Sequence, residues 1–228
     1  MKKNLFFSFV MAAAMLAAGC SGDGGTVTSA STGATTGTTT TTTTGGTTTG
    51  GTTTTTSSGG VYTLSDGSSP TLSGKTYTST TADQNAIKVT NGTLTLTNDT
   101  IVKSAGDCTD SDGSSFYGTN AAILASGSSA KVVMSGGKIT TSAKGANAIV
   151  AYGGTVTVSD VTMNCTSNLS RGIHATGGGT INATNLTITT AGSNSSVIAT
   201  DRGGGTVTVT GGTYKTTGTD CAVIYSTG

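Results

Sequence analysis

Five stretches of this chain are variants of one another: GTLTLTNDTI from residue 92, AKVVMSGGKI from 130, GTVTVSDVTM from 154, GTINATNLTI from 179 and GTVTVTGGTY from 205. Short apolar tetrads alternate with them, at IKVT (87–90), ILAS (123–126), IVAY (149–152), IHAT (173–176), IATD (198–201) and VIYS (223–226). The first residues of the tetrads lie 36, 26, 24, 25 and 25 positions apart. A period in the range of roughly 20 to 50 residues marks a solenoid or array, because one such unit cannot bury its own apolar face and must stack on a neighbour.

Within each unit apolar and polar residues alternate, which is the period of a strand and not of a helix. One apolar column runs through Leu94, Val132, Val156, Ile181 and Val207, and a second through Leu96, Met134, Val158, Ala183 and Val209. A third holds Ile101, Ile139, Met163, Ile188 and Tyr214, and the tetrads supply a fourth in Ile87, Ile123, Ile149, Ile173, Ile198 and Val223. Three short strands per period, separated by Gly, Asn and Asp bends, predict an all-β chain wound as a parallel β-helix of about six coils, each of roughly 25 residues. Coils would stack at about 4.8 Å, and the columns would become the core. Evenly spaced short strands also suit a β-sandwich, but the in-register columns favour the coil. Threonine is abundant because it is β-branched and tolerated on the wet face of a strand.

This pattern, over residues 61 to 228, resembles the right-handed parallel β-helix proteins of the pectin-lyase-like superfamily, and among them carbohydrate-binding and adhesin-like modules. The resemblance rests on period and columns, with no catalytic signature. The superfamily's common activity is polysaccharide cleavage, and glycoside hydrolysis needs paired carboxylates at a set separation. Here Arg171, Arg202 and His174 are the only Arg or His in the chain, all ten acids are Asp, and none of the three basic residues sits in an acidic cluster. The Asn-Thr-Asp, Asp-Asp, Gly-His-Gly and Arg-Ile-Lys motifs of polygalacturonase relatives are absent. No catalytic residues are assigned. His174 shares an outward column with Lys88, Leu124 and Val150 and is expected at the surface. Asp201 and Arg202 read as a contact pinning a bend.

The N-terminus carries Lys2 and Lys3, an apolar stretch from Leu5 to Ala18, and then Cys20. That stretch is short for a membrane-spanning helix and reads as a targeting segment, residues 1–19. Ala17-Ala18-Gly19-Cys20 resembles the lipobox of bacterial lipoproteins, which implies acylation (palmitate among the chains) at Cys20. More than one acyl chain gives lasting membrane attachment. Ser21 follows the cysteine in place of the Asp that signals inner-membrane retention, so the implied address is the outer membrane and cell surface. Residues 20–60 are Gly, Ser and Thr almost throughout. They lack the apolar surface to offset ordering entropy and are expected to be a disordered tether, spanning about 35 Å as a Gly-rich coil. The chain stops where a further repeat would begin, so the 61–228 domain is read as truncated there.

The largest departure from the period is the spacing of 36 between the first two tetrads, which marks an insertion, SAGDCTDSDGSSFYG, at 104–118. Asp107, Asp110 and Asp112 gather there, and grouped carboxylates can hold Ca²⁺ through hard oxygen ligands. Phe116 and Tyr117 adjoin them, as a platform on which a sugar can stack; a plain solvated loop is the alternative. After Cys20, the three cysteines Cys108, Cys165 and Cys221 leave an odd count whose pairing the sequence does not decide. Cys165 and Cys221, two coils apart at about 9.6 Å, would be beyond disulfide reach.

A net charge of +1 with 9% charged residues offers no cationic footprint for nucleic acid. The expected function is that of a cell-surface lipoprotein presenting a non-catalytic β-helix for glycan binding or adhesion. A carbohydrate-active enzyme and a structural surface stalk are the alternatives.

Overall fold

The computed structural model describes residues 60–228; the leader, Cys20 and the Thr/Gly-rich segment to residue 59 lie outside the described residues. Residues 60–228 form a parallel β-solenoid of about seven turns, with three sheets running along it. The first sheet stacks Gly60–Leu64, Asn85–Val89, Ile123–Ser126, Ile149–Tyr152, Ile173–Thr176, Ile198–Thr200 and Ile224–Ser226. The second stacks Thr71–Ser73, Gly92–Thr97, Ala130–Ser135, Thr155–Ser159, Gly179–Thr184 and Gly205–Thr210. The third stacks Thr76–Ser79, Thr100–Lys103, Lys138–Thr141, Thr162–Cys165, Thr187–Thr190 and Thr213–Thr216. Consecutive strands of a sheet therefore come from consecutive turns, and the strands of each sheet pair in parallel.

The anticipated columns are the core. Leu94, Val132, Val156, Ile181 and Val207 follow one another in register, as do Leu96, Met134, Val158, Ala183 and Val209. Ile101, Ile139, Met163, Ile188 and Tyr214 form the third column. Along Ala130–Ser135 buried and exposed residues alternate at every step. Each fully buried Val, Leu or Ile contributes about 1.5–3 kcal/mol relative to exposure, so the stack of columns is the main source of stability.

The bend between the second and third sheets shows why Gly, Asn and Asp recur. Gly74, Asn98, Gly136, Asp160, Asn185 and Gly211 occupy the same place in six successive turns, all with φ between 53° and 66°. Glycine takes this left-handed conformation freely, and Asn and Asp tolerate it best among the others. At five of these positions, Gly74, Asn98, Gly136, Asp160 and Asn185, the backbone N–H donates to a carbonyl of the following turn, as from Asn98 to Ser135 and from Asn185 to Thr210. The Asn185 amide also donates to the Asp160 carboxylate at 2.6 Å.

The structure departs from the sequence reading at both ends of the series. The turn built by Gly60–Leu64, Thr71–Ser73 and Thr76–Ser79 raises the count from the expected six to about seven. Its inward residues are Leu64, buried in the core, and Tyr62, Leu72 and Tyr77, half-buried against it, with the two tyrosine rings edge-to-face at 5.9 Å. In the last turn Ile224, and not Val223, pairs with Ile198. Val223 supplies the carbonyl to which the Ile198 N–H donates. Lys103 is a further surprise: it is buried in the column of Ser79, Thr141, Cys165 and Thr190. Its ammonium donates to the Ser79 hydroxyl at 3.4 Å and to the Thr81 carbonyl. Burial pushes its pKa down, opposed by Asp83 and Asp107. Among the described residues no helix is long and apolar enough to cross a membrane.

Candidate functional site

The insertion is a short helix, α1 (Ser111–Tyr117), laid on the outer side of the first sheet. Seven residues reading SDGSSFY are poor helix formers, and so short a helix is unstable in isolation. Local capping helps: the Asp110 carboxylate accepts from the Asp112 N–H at 2.9 Å, and Gly118, at φ 71°, closes the C-terminal end. Tertiary hydrogen bonds do more. The Ser114 hydroxyl donates to the Gly145 carbonyl at 2.6 Å, and the Asn147 amide to the Ser114 carbonyl at 3.1 Å. The buried Asn85 amide donates to the carbonyls of Gly118 and Ala121, both at 2.9 Å.

These contacts decide what becomes of the three acids. Asp110 caps α1, and the Asp107 carboxylate accepts from the Lys144 N–H at 2.8 Å. Asp112 stands exposed in the first helical turn, where a negative charge suits the helix dipole. Among the described residues no group of three or more His, Cys, Asp or Glu is arranged to hold a metal ion. Of the three acids expected to hold calcium, Asp107 and Asp110 each turn one oxygen to a backbone N–H, and Asp112 faces solvent.

The two aromatics close the C-terminal end of α1. Tyr117 is 46% exposed and meets Tyr152 of the first sheet edge-to-face, with centroids 5.4 Å apart. Phe116 is half-buried; its carbonyl accepts from the Thr176 hydroxyl at 2.8 Å, which ties the end of α1 to the Ile173–Thr176 strand. The exposed Arg202 guanidinium lies 3.7 Å from the centre of the Phe116 ring. The pair is a cation–π contact across 86 positions of sequence, and no local pattern announces it.

Beneath this cover the outward column of the first sheet is closed to water. Leu124, Val150, His174 and Ala199 are in register and buried. The expectation of a surface histidine is thus corrected: His174 is 0% exposed, and neither ring nitrogen has a partner among the described residues. Burial, with the neighbouring Arg171 charge second, pulls its pKa down to about 3, so the ring is neutral near pH 7. Arg171 is also buried, and its nearest acid is Asp201, with Nη2 3.6 Å from Oδ2. The sequence reading set Asp201 beside Arg202. Its carboxylate does accept the Arg202 backbone N–H at 2.8 Å, but the Arg202 guanidinium goes to Phe116. The Arg171–Asp201 pair was legible only through the repeat, since one turn brings the neighbourhood of 176 onto 201.

All three thiols are free. That of Cys165 is buried, its pKa pushed up to about 11 by burial, and it is therefore unreactive. A cleft of about 320 Å³ opens near the last turns between Ile198, Val207 and Ile224, and its lining carries no charged group. No family model, curated protein or solved structure matches this chain. The site's residues therefore speak for themselves.

Proposed function

We propose that the chain is a lipid-anchored surface protein that presents a non-catalytic β-helix for glycan binding or adhesion, with Phe116 and Tyr117 at the contact face. The anchor would be acylated Cys20, the partner membrane the outer membrane, and the scaffold one resembling the pectin-lyase-like modules. The observation that carries the reading is the cluster of Phe116, Tyr117, Tyr152 and Arg202, held by α1 on a stacked sheet. An exposed aromatic edge beside a cation suits a saccharide, whose C–H face stacks on a ring while its hydroxyls and acidic groups seek donors. Binding residues are often set on such excursions from a rigid frame. Two measurements test it. The full chain on a glycan array should bind a defined subset, and Tyr117→Ala should weaken that binding by about tenfold with the melting temperature little changed. Cys20→Ala should release the protein from membranes or block its processing; unchanged membrane attachment would end the lipoprotein part of the reading.

A further inference from the structure

Arg171 poses a problem in electrostatics. A guanidinium has five donors and a fixed charge, and burying it without partners is costly. Here Nε and Nη1 are buried with no hydrogen-bond partner among the described residues. Nη2 has only the ion pair with Asp201 at 3.6 Å, too long for a hydrogen bond. Asp201 is itself committed elsewhere, its Oδ1 accepting from the Arg202 N–H at 2.8 Å and from the Thr227 hydroxyl at 3.2 Å. Beside Arg171 lies His174, also buried and with both nitrogens unpartnered. Arg202 stands at the same edge, on Phe116. One guanidinium, with the imidazole beside it, thus has a single partly committed carboxylate, and the buried donors outnumber the acceptors.

What this arrangement lacks is a compact acceptor with two or more oxygens. We infer that the Arg171–His174 cluster on the outer face of the first sheet is a binding site for an oxyanion, a carboxylate or sulfate group carried on a saccharide. A planar guanidinium takes such a group through two parallel hydrogen bonds, stronger than neutral ones. Neutral His174 can donate one more from whichever nitrogen carries its proton. Entry is from the edge where the Arg171 and Asp201 side chains remain 10% and 13% exposed. Arg171 gives up no hydrogen bond in turning toward a ligand there. The saccharide part of the assignment rests on the glycan-binding reading above, with the exposed Tyr117 ring, packed on half-buried Tyr152, as its platform. The anion part stands on Arg171 and His174 alone.

His174 is the chain's only histidine, so one imidazole signal reports on the site. The full chain without a histidine tag would be followed by NMR at pH 7 while sodium sulfate and sodium acetate are added in turn. Chloride would hold the ionic strength constant. Saturable movement of the imidazole signals, lost in Arg171→Gln and kept in Arg202→Ala, is expected. Arg171→Lys, which keeps the charge but not the fork, should weaken binding by about tenfold. An imidazole signal that does not move, or that moves equally for chloride, would overturn the site without recourse to any variant. Glucuronate against glucose then separates the sources. Glucuronate binding at least tenfold tighter than acetate, with glucose silent at His174, supports a saccharide acid. Equal binding of acetate and glucuronate leaves an anion site and removes its saccharide part. Glycan-array binding that survives Arg171→Gln unchanged keeps the broader reading and discards this site.

Discussion

Val133 and Val150 both point out of the solenoid from sheets of the same construction, yet one is 38% exposed and the other 0%. Val133 belongs to the outward column of the second sheet, in register with Thr95 and Thr157, and that face is open. Val150 stands in register with Leu124 and His174 on the first sheet, beneath α1 and Gly118 at its C-terminal end. The backbone ladder is the same in both places. What differs is a single insertion into one turn, which converts a wetted face into a covered one and brings Phe116 and Tyr117 against Arg202 and Tyr152. In a repeat protein the coil sets geometry, and departures from the repeat set chemistry.

The largest effect should come from core against surface within one strand. Val156→Asp would bury an unpaired carboxylate and is expected to cost about 4 kcal/mol or more, where Thr157→Asp should stay within about 0.5 kcal/mol. Denaturant unfolding followed by circular dichroism measures both, and equal losses would remove the alternation on which the coil rests. Next comes the outward pair. Val150→Asp is expected to cost about 3 kcal/mol, and Val133→Asp less than about 1 kcal/mol. If the two valines respond alike, α1 does not cover the first sheet in solution.

A third contrast is in pH. The folded pKa of His174, about 3, lies below the ordinary 6.5, so between those values the unfolded chain holds a proton that the folded chain lacks. The contribution of this group to stability is complete above pH 6.5 and is lost as pH falls through that window, by about 1.4 kcal/mol per pH unit. His174→Gln should flatten the slope between pH 6.5 and 5, where carboxylates titrate little. An unchanged slope would mean that His174 is exposed. The smallest effect is expected from Arg202→Ala, which loses the contact with Phe116 at a cost of about 0.5–1 kcal/mol. The same loss in a Phe116→Ala background would show that the two residues act separately.

The difference between the two faces also explains what could be read from the sequence. Columns such as Leu94 to Val207 repeat every turn, and their burial follows from alternation alone. The first turn escaped because Tyr62 and Tyr77 stand where the next turn carries Ile87 and Ile101. The last register slipped by one residue, since Val223 and Ile224 are both apolar and only the strand pairing separates them. α1 left no trace because it is held by Asn85, Ser114 and Asn147 across some 30 positions, and not by its own propensity. His174 was misplaced for the same reason: outward orientation was read correctly from the pleat, but exposure depends on what lies above. Phe116 and Tyr117 were legible as a pair of aromatics in an insertion, whereas their partners Arg202 and Tyr152 required the fold.

In the proposed function the covered first-sheet face carries recognition and the open second-sheet face does not. Glycan-array binding by the full chain, compared among the parent, Tyr117→Ala, Arg171→Gln and Thr157→Asp at matched folding, tests it directly. The account expects a defined set of bound glycans, lost or weakened at least tenfold by the two first-sheet variants and unchanged by Thr157→Asp. Binding that is absent from the parent, or that responds to Thr157→Asp and not to the first-sheet changes, would contradict it.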